Sequence, residues 1–510
     1  MKSKKILSLL GLLVTGGVLI QSCKKLPQNT YSSETAQNFF QTPAQISAGV
    51  AAAYIPLQAI FNGNTFQLNE ATTDEMIIPT RGNNWYDGGE HQELWLHQVD
   101  DLNSNDVGAW PELTTGITEC NYVINFLGGL TDKPSNEAAL VAEINVVRDY
   151  YIFLMTDLYG SIPLVTTYGA ATNNIAPQSR ADIYKYLVTN LLANVPLLST
   201  DNQTSNAAMI GHMNQWGGDM LLAKVYAMAQ VYTGTADWAD AKKYSDLVIA
   251  SGKYSLQPNF FDNFTYSNRG SVENIFTIPF NFPNIGGNSI ISSTLTYTNQ
   301  QTYNLGGQPN NGFCAPTAFY DSFSPSDVRF KMWETGQQYT AAGVPIPGVI
   351  ISKYVLELSN PADSFAFAGA RSLKYQPQPL TNGNAGNDGV VFRLADAYLM
   401  SAEAALQLGD AATALSDVNI VRARSNMPAL TSITPDLLLQ ERGREMAWEA
   451  WRRDDLIRFE VATGTHYFTG PRVPQKTQDA SDNHTFLFPV PSVQIATNPL
   501  LKQNPGYTSN

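Results

Sequence analysis

Two stretches of this chain repeat one local grammar, and that grammar limits the folds open to it. From Trp216 to Tyr254, a run containing Ala223, Ala227 and Ala229 meets the turn Thr233-Gly234-Thr235-Ala236. A second run with Ala239, Ala241 and Ala250 follows. From Arg393 to Arg424 the pattern returns. Leu394, Tyr398, Ala402, Ala405 and Leu408 form a stripe, Gly409-Asp410 turns the chain, and Ala414, Leu415, Val418 and Val421 continue it. Apolar residues three and four apart lie on one helix face, and Gly ends a helix because it accepts the left-handed backbone that closes the last turn.

A helix, a Gly-containing turn and an Ala-rich partner helix, about 34 residues in all, is the pattern of tetratricopeptide-like hairpins. The two units lie more than a hundred residues apart, so the chain is not a simple tandem array. Helical spacing also marks Pro43 to Phe61, Trp110 to Leu127, Ser135 to Leu158 and Arg180 to Leu192. Between Asn259 and Gly389, Gly, Pro, Asn, Ser and Tyr dominate and no helical period persists, while short pieces such as Ile275 to Phe280 read as strands. So long a stretch is not one loop within a compact domain. The expected fold is mainly α: helical hairpins as scaffold, with an irregular, loop-rich subdomain carrying a few short strands. The expected organisation is one composite globular unit. It comprises a helical region at 36–258, an irregular subdomain at 259–389, a helical segment at 390–462 and an irregular tail at 463–510.

The N-terminus sets the address. Lys2, Lys4 and Lys5 precede an apolar stretch from Ile6 to Ile20, too short for a spanning helix and suited to a secretory signal. Leu19-Ile20-Gln21-Ser22-Cys23 resembles a bacterial lipobox, which makes residues 1–22 a signal peptide, Cys23 the lipidated residue and 23–35 a short tether. The alternative is a plain cleaved signal with an incidental Cys. Three hydrocarbon chains exceed the two signals needed for stable anchoring. The whole chain of 510 residues has a formal charge of -13, and losing three lysines with residues 1–22 takes it to -16. Nucleic-acid binding, which needs clustered Lys and Arg, is excluded. Cys120 and Cys314 lie in unlike contexts, as two buried thiols or one disulfide, and no Cys-x-x-Cys pattern occurs.

Catalytic signatures are absent from the sequence. It has no Gly-x-Ser-x-Gly elbow, no phosphate-cradling loop and no Ser-x-x-Lys context resembling a penicillin-binding site, and its five His show no His-x-x-x-His spacing. Neither a metal nor a cofactor is expected. Asn382, Asn384, Asn387 and Asp388 offer oxygens that could suit calcium, but read better as a turn into a strand. The acid pairs Asp74-Glu75 and Asp454-Asp455 keep a glycoside hydrolase among the alternatives. Glu441, Glu445 and Glu449, beside Arg442, Arg444, Arg452 and Arg453, read as a salt-bridged helix face. The segment Thr72 to His97 stands apart because aromatics, amides, acids and an Arg crowd into a Gly-rich stretch. Sugars offer C–H faces to rings and hydroxyls to amide, carboxylate and guanidinium groups, so this inventory suits a glycan; equally, Trp85 could plug the scaffold.

Several blocks together resemble the RagB/SusD family: Leu158-Tyr-Gly-Ser-Ile-Pro-Leu164, Arg393-Leu-Ala-Asp-Ala-Tyr-Leu-Met-Ser-Ala-Glu-Ala404, Asn419-x-Val421-Arg422-x-Arg424, Glu441-Arg-Gly-Arg-Glu-Met-Ala-Trp-Glu449, Arg453-x-Asp455-Leu-Ile-Arg458 and Phe488-Pro-Val-Pro491. Asn498-Pro and Gln503-Asn-Pro-Gly-Tyr507 close the series. Gly443 and Ala450 depart from the pattern, which more often has a longer side chain and a Gly there. The resemblance implies an outer-membrane lipoprotein, facing outward, without catalytic activity. Such a protein captures oligosaccharide or polysaccharide for a SusC-like TonB-dependent transporter. A structural lid that binds the transporter or a peptide is the alternative. The Thr73 to Gly89 stretch resembles a glycan-facing loop of the family, making Asp74, Arg81, Asn83, Trp85 and Tyr86 ligand candidates, with Trp85 as stacking platform. Tyr297, Tyr303 and Trp333 are further candidates from the irregular region. Some relatives carry an acidic run after the lipidated Cys; here Lys24-Lys25 follow, and the first acid is Glu34.

Overall fold

The computed structural model describes residues 42–82, 84–170, 173–281, 286–355, 367–382, 384–470 and 483–508. The signal segment, Cys23, the tether and Asn83 lie outside the described residues. From Ala48 onward the chain clusters as one unit.

Among the described residues, nine helices build the scaffold. They are α1 Ser104–Gly128, α2 Glu137–Tyr159, α3 Arg180–Asn194, α4 Gln215–Ala227, α5 Trp238–Ala250, α6 Leu394–Gln407, α7 Ala411–Arg424, α8 Pro435–Met446 and α9 Arg452–Thr463. Their starts follow local chemistry. The Asn103, Ser179, Asn214, Asp410 and Thr434 side chains each accept a hydrogen bond from a first-turn N–H of α1, α3, α4, α7 and α8. Consecutive helices from α1 to α5 pack against one another, and α5 then packs on α6, which packs on α7. The two hairpins that are far apart in sequence are therefore neighbours in space. Their Ala residues explain the close approach: Ala223, Ala241, Ala402, Ala404, Ala405 and Ala414 are all completely buried.

Two helical expectations change in detail. Pro43 to Phe61 is two helices, Pro43–Ala51 and Pro56–Asn62, because Pro56 has no N–H to continue the ladder and takes the first turn of a new helix. Helix α1 begins six residues before Trp110 and passes through Pro111.

The irregular region is pinned at both ends. Strand β1 (Asn274–Ile278) pairs antiparallel with β6 (Gly389–Arg393), and both are fully buried. Between them, β2 (Trp333–Glu334) pairs with β5 (Arg371–Ser372), and β3 (Gly336–Tyr339) forms a hairpin with β4 (Pro345–Ile351). Asn387 and Asp388 are committed in the turn before β6. Asn387 Nδ2 donates to the Phe264 and Gln376 carbonyls, while Asp388 accepts a forked pair from Arg269.

The acidic series at 441–449 is salt-bridged as expected but is not one helix face. Helix α8 ends at Met446, so Glu449 lies in the link to α9, where Trp448 and Ala450 adopt left-handed φ of 59° and 62°. Glu441, Glu445 and Glu449 are buried, and they pair mainly with cations from other segments. Arg329 meets Glu441 at 2.7 Å and Glu445 at 2.9 Å; Arg393 meets Glu273, Glu445 and Glu449 at 3.0, 2.6 and 2.7 Å; Lys374 meets Glu449 at 2.5 Å. This network joins the irregular subdomain (Glu273, Arg329, Lys374) to the helical scaffold (Arg424, Glu441, Glu445). Burial opposes ionisation of Glu445, but Arg424, Arg393 and Arg329 outweigh it and hold the carboxyl below its ordinary range.

Cys120 and Cys314 are separate buried thiols. Among the described residues no single helix is long and apolar enough to cross a membrane.

Candidate glycan-binding surface

The candidate loop is shaped by its backbone. Arg81 and Asn84 exchange both main-chain hydrogen bonds, 2.8 and 3.1 Å, and Gly82 beside them has φ +63°. Trp85 at 61° and Asp87 at 42° are also left-handed. Such a backbone costs a residue with a side chain roughly 1–2 kcal/mol, so contacts must hold it. They are visible. The Trp85 indole Nε1 donates to the Asn310 carbonyl at 2.8 Å, and its ring packs edge-on to Phe313 at 5.7 Å and near His91 at 5.6 Å. Gly312 is required beneath it, because a Cβ there would fall 2.4 Å from the ring.

Trp85 is thus a wedge with part of its surface open. Tyr86 is 52% exposed and Tyr297 partly so. The Asn84 Nδ2 donates to the Tyr297 hydroxyl at 3.0 Å and ties the two aromatic segments together. Tyr303 is half-buried and donates to Glu334 at 2.6 Å. Burial pushes the Glu334 carboxyl above its usual range, and burial with the adjacent Glu334 pushes the Tyr303 phenol up as well.

Three candidates take other roles. Arg81 is buried and donates to the carbonyls of Ala368 at 2.6 Å and Gly312 at 3.2 Å and to the Cys314 sulfur at 3.3 Å, so it braces the loop from below. Burial lowers its basicity and, with Arg81 alongside, drops the Arg371 guanidinium to about 9. Asp74 is half-exposed but holds Arg452. Trp333 is a core residue, packed edge-on against Phe319, Phe323 and Trp448, and has no open face for a sugar. The acid pairs are likewise committed: Glu75 accepts from the Trp448 N–H, and Asp455 binds Arg442 and Arg458.

Sequence reading missed Asn84 and Tyr354. Tyr354 is 63% exposed just beyond the β3–β4 hairpin, and the Ala368 and Gly369 segment beside it carries the Arg81 anchor. No motif marks either residue; only the pairing of distant segments brings them into view. An aromatic series, Trp85, Phe313, Trp448 and Trp333, runs inward from the loop to the α8–α9 link, with ring centroids 5.7–6.4 Å apart.

A helical-hairpin scaffold carrying an aromatic, amide-rich loop surface is one recognisable class of protein. The model described as the SusD family matches residues 250–507, half of the chain, and the chain belongs to that family. It is 24% identical over 489 residues to the starch-binding protein SusD of Bacteroides thetaiotaomicron, an alignment covering 88% of this chain and 86% of the relative. Among solved structures, surface glycan-binding protein A from Bacteroides uniformis superposes with a TM-score of 0.75 at 19% identity, covering 91% of this chain and 99% of that one. A laminarin-binding SusD-like protein gives 0.73 at 22%, covering 92% and 100%. These likenesses bear out the mainly helical fold.

Proposed function

We propose that this protein is a non-catalytic glycan-binding lipoprotein. In this reading residues 1–22 are removed, Cys23 carries the lipid, and the folded body at 36–510 is displayed outside the outer membrane. There it passes captured oligosaccharide to a SusC-like TonB-dependent transporter. The observation that carries the reading is the braced loop: Trp85, Tyr86 and Tyr297 sit on a backbone held rigid from below by Arg81. Rigid aromatic faces bind sugars without a large ordering cost. Names of relatives that bind starch, laminarin or surface glycans support the same class of ligand.

Asn83, Trp85, Tyr86, Tyr297 and Tyr303 are the proposed ligand surface, with Arg81 as its brace and Asp74 tied to Arg452 at its edge. The engagement of Asp74 by Arg452, and of Asp455 by Arg442 and Arg458, supports binding over hydrolysis. Affinity electrophoresis of the intact protein through gels containing neutral polysaccharides tests the proposal, alongside chromatography of the incubated polysaccharide. Retardation in at least one gel with no new reducing ends is expected. Migration unchanged in every gel, or release of shortened products, would refute it.

A further inference from the structure

A second feature of the fold points to a ligand and shares no residue with the loop surface. A cavity of about 230 Å³ opens between α1, α2 and the C-terminal helix Ser492–Thr497. Ile117, Met155 and Leu501 give it apolar walls, and Trp110, Thr118 and Gln494 give it polar groups; no charged side chain lines it.

The polar groups are poorly used by the protein itself. Trp110 is 4% exposed, with its ring edge-on to Tyr159 at 4.8 Å, and its indole N–H has no hydrogen-bond partner among the described residues. That donor is therefore available to an acceptor on a ligand in the cavity. Thr118 donates its hydroxyl proton to the Thr114 carbonyl at 2.8 Å, so its oxygen lone pairs remain to accept. The half-buried Gln494 amide has no side-chain partner among the described residues and can both donate and accept.

These groups define the ligand. An ion is disfavoured, because nothing in the lining would balance its charge. The occupant is neutral, bears both donors and acceptors, and has an apolar face for Ile117, Met155 and Leu501. A cavity of roughly 150 Å³ accommodates benzene, so this one has room for a six-membered ring with substituents. We propose that the cavity is a second ligand site that takes one neutral pyranose unit, with Trp110 Nε1 and Gln494 donating to its oxygens and Thr118 accepting from a hydroxyl. The choice of a sugar rests on the glycan-binding reading; the cavity's demand for a neutral ring does not.

The test uses the full mature chain labelled with 15N-tryptophan, whose indole resonances are assigned by single Trp→Phe variants. The α- and β-anomers of methyl glucopyranoside are the probes. The Trp110 indole signal is expected to shift saturably, to do so equally in Trp85→Ala, and to respond at least about threefold more weakly in Gln494→Ala. Thr118→Leu, which fills the cavity from its exposed rim, is expected to abolish the response while the other indole signals certify the fold. A Trp110 signal unmoved by both sugars overturns the proposal. The Trp85 signal in the same spectra reports on the loop surface separately, so either idea can fall without the other.

Discussion

Arg452 grips Asp74 with two parallel hydrogen bonds, Nε to Oδ1 at 2.7 Å and Nη2 to Oδ2 at 2.8 Å, while its Nη1 donates to the Leu439 carbonyl. One buried guanidinium thereby joins the start of the candidate loop to α8 and α9. The space it occupies also accounts for Gly443, where a Cβ would lie 2.9 Å from Arg452 Nη1. Asp74→Asn keeps the shape but loses the paired charge. Because Asp74 is half-exposed, the expected loss is about 1 kcal/mol. A urea titration should show a lower midpoint with an unchanged slope.

Arg393 is surrounded by Glu273, Glu445 and Glu449 and is completely buried. Arg393→Met leaves those carboxylates facing one another without their central cation. Breaking a buried pair in this way costs about 3–5 kcal/mol. The expected outcome is loss of cooperative thermal unfolding in a calorimetric scan or failure to accumulate as soluble protein.

Ala450 holds φ at 62°, a conformation that Gly adopts without the Cβ penalty. Ala450→Gly is therefore expected to stabilise the fold by up to about 1 kcal/mol, the left-handed penalty less the added freedom of the unfolded chain. Denaturant midpoints of the two proteins compared side by side check this. The related position more often carries Gly in the resembling family, which fits the same geometry.

Buried acids set the pH response in opposite directions. Burial raises Glu70 to about 8 and Asp149 to about 7, so each stays protonated in the folded chain where the unfolded chain would ionise it. Their stabilisation is full below the unfolded carboxylate range and fades as pH rises through 7 to 8. Glu445 and Asp455, held low by arginines against the penalty of burial, act in reverse and lose their contribution as pH falls below the unfolded range. Glu70→Gln mimics the protonated acid and keeps an acceptor for the Ala450 N–H. Urea melts at pH 5, 7 and 8 should show a shallower decline with pH in this variant than in the parent.

Much of the scaffold was legible because its signals are local. Apolar and Ala spacing with Gly turns placed α1 to α7 to within a few residues, apart from the first turns of α1. The 441–449 series was not, because four-residue spacing looks the same whether the helix continues or stops at Met446. Only Arg329, Arg393 and Lys374, distant in sequence, reveal that these acids are internal. The candidate surface was half legible. The composition of 72–97 singled out the loop, but composition cannot distinguish a ring that is buried, as in Trp333, from one that is open. Asn84 acquires its role from Tyr297, more than two hundred residues away.

Sugars are expected to bind on the braced aromatic loop, and titration calorimetry of Tyr86→Ala is the decisive measurement. Tyr86 is exposed and its removal leaves the Trp85 wedge and the Arg81 brace in place. With the polysaccharide that retards the parent protein, affinity is expected to fall about tenfold, equivalent to about 1.4 kcal/mol, with an unchanged far-UV spectrum. Parent-like affinity in Tyr86→Ala, and again in Trp85→Ala, would contradict the account and place the binding surface elsewhere on the molecule.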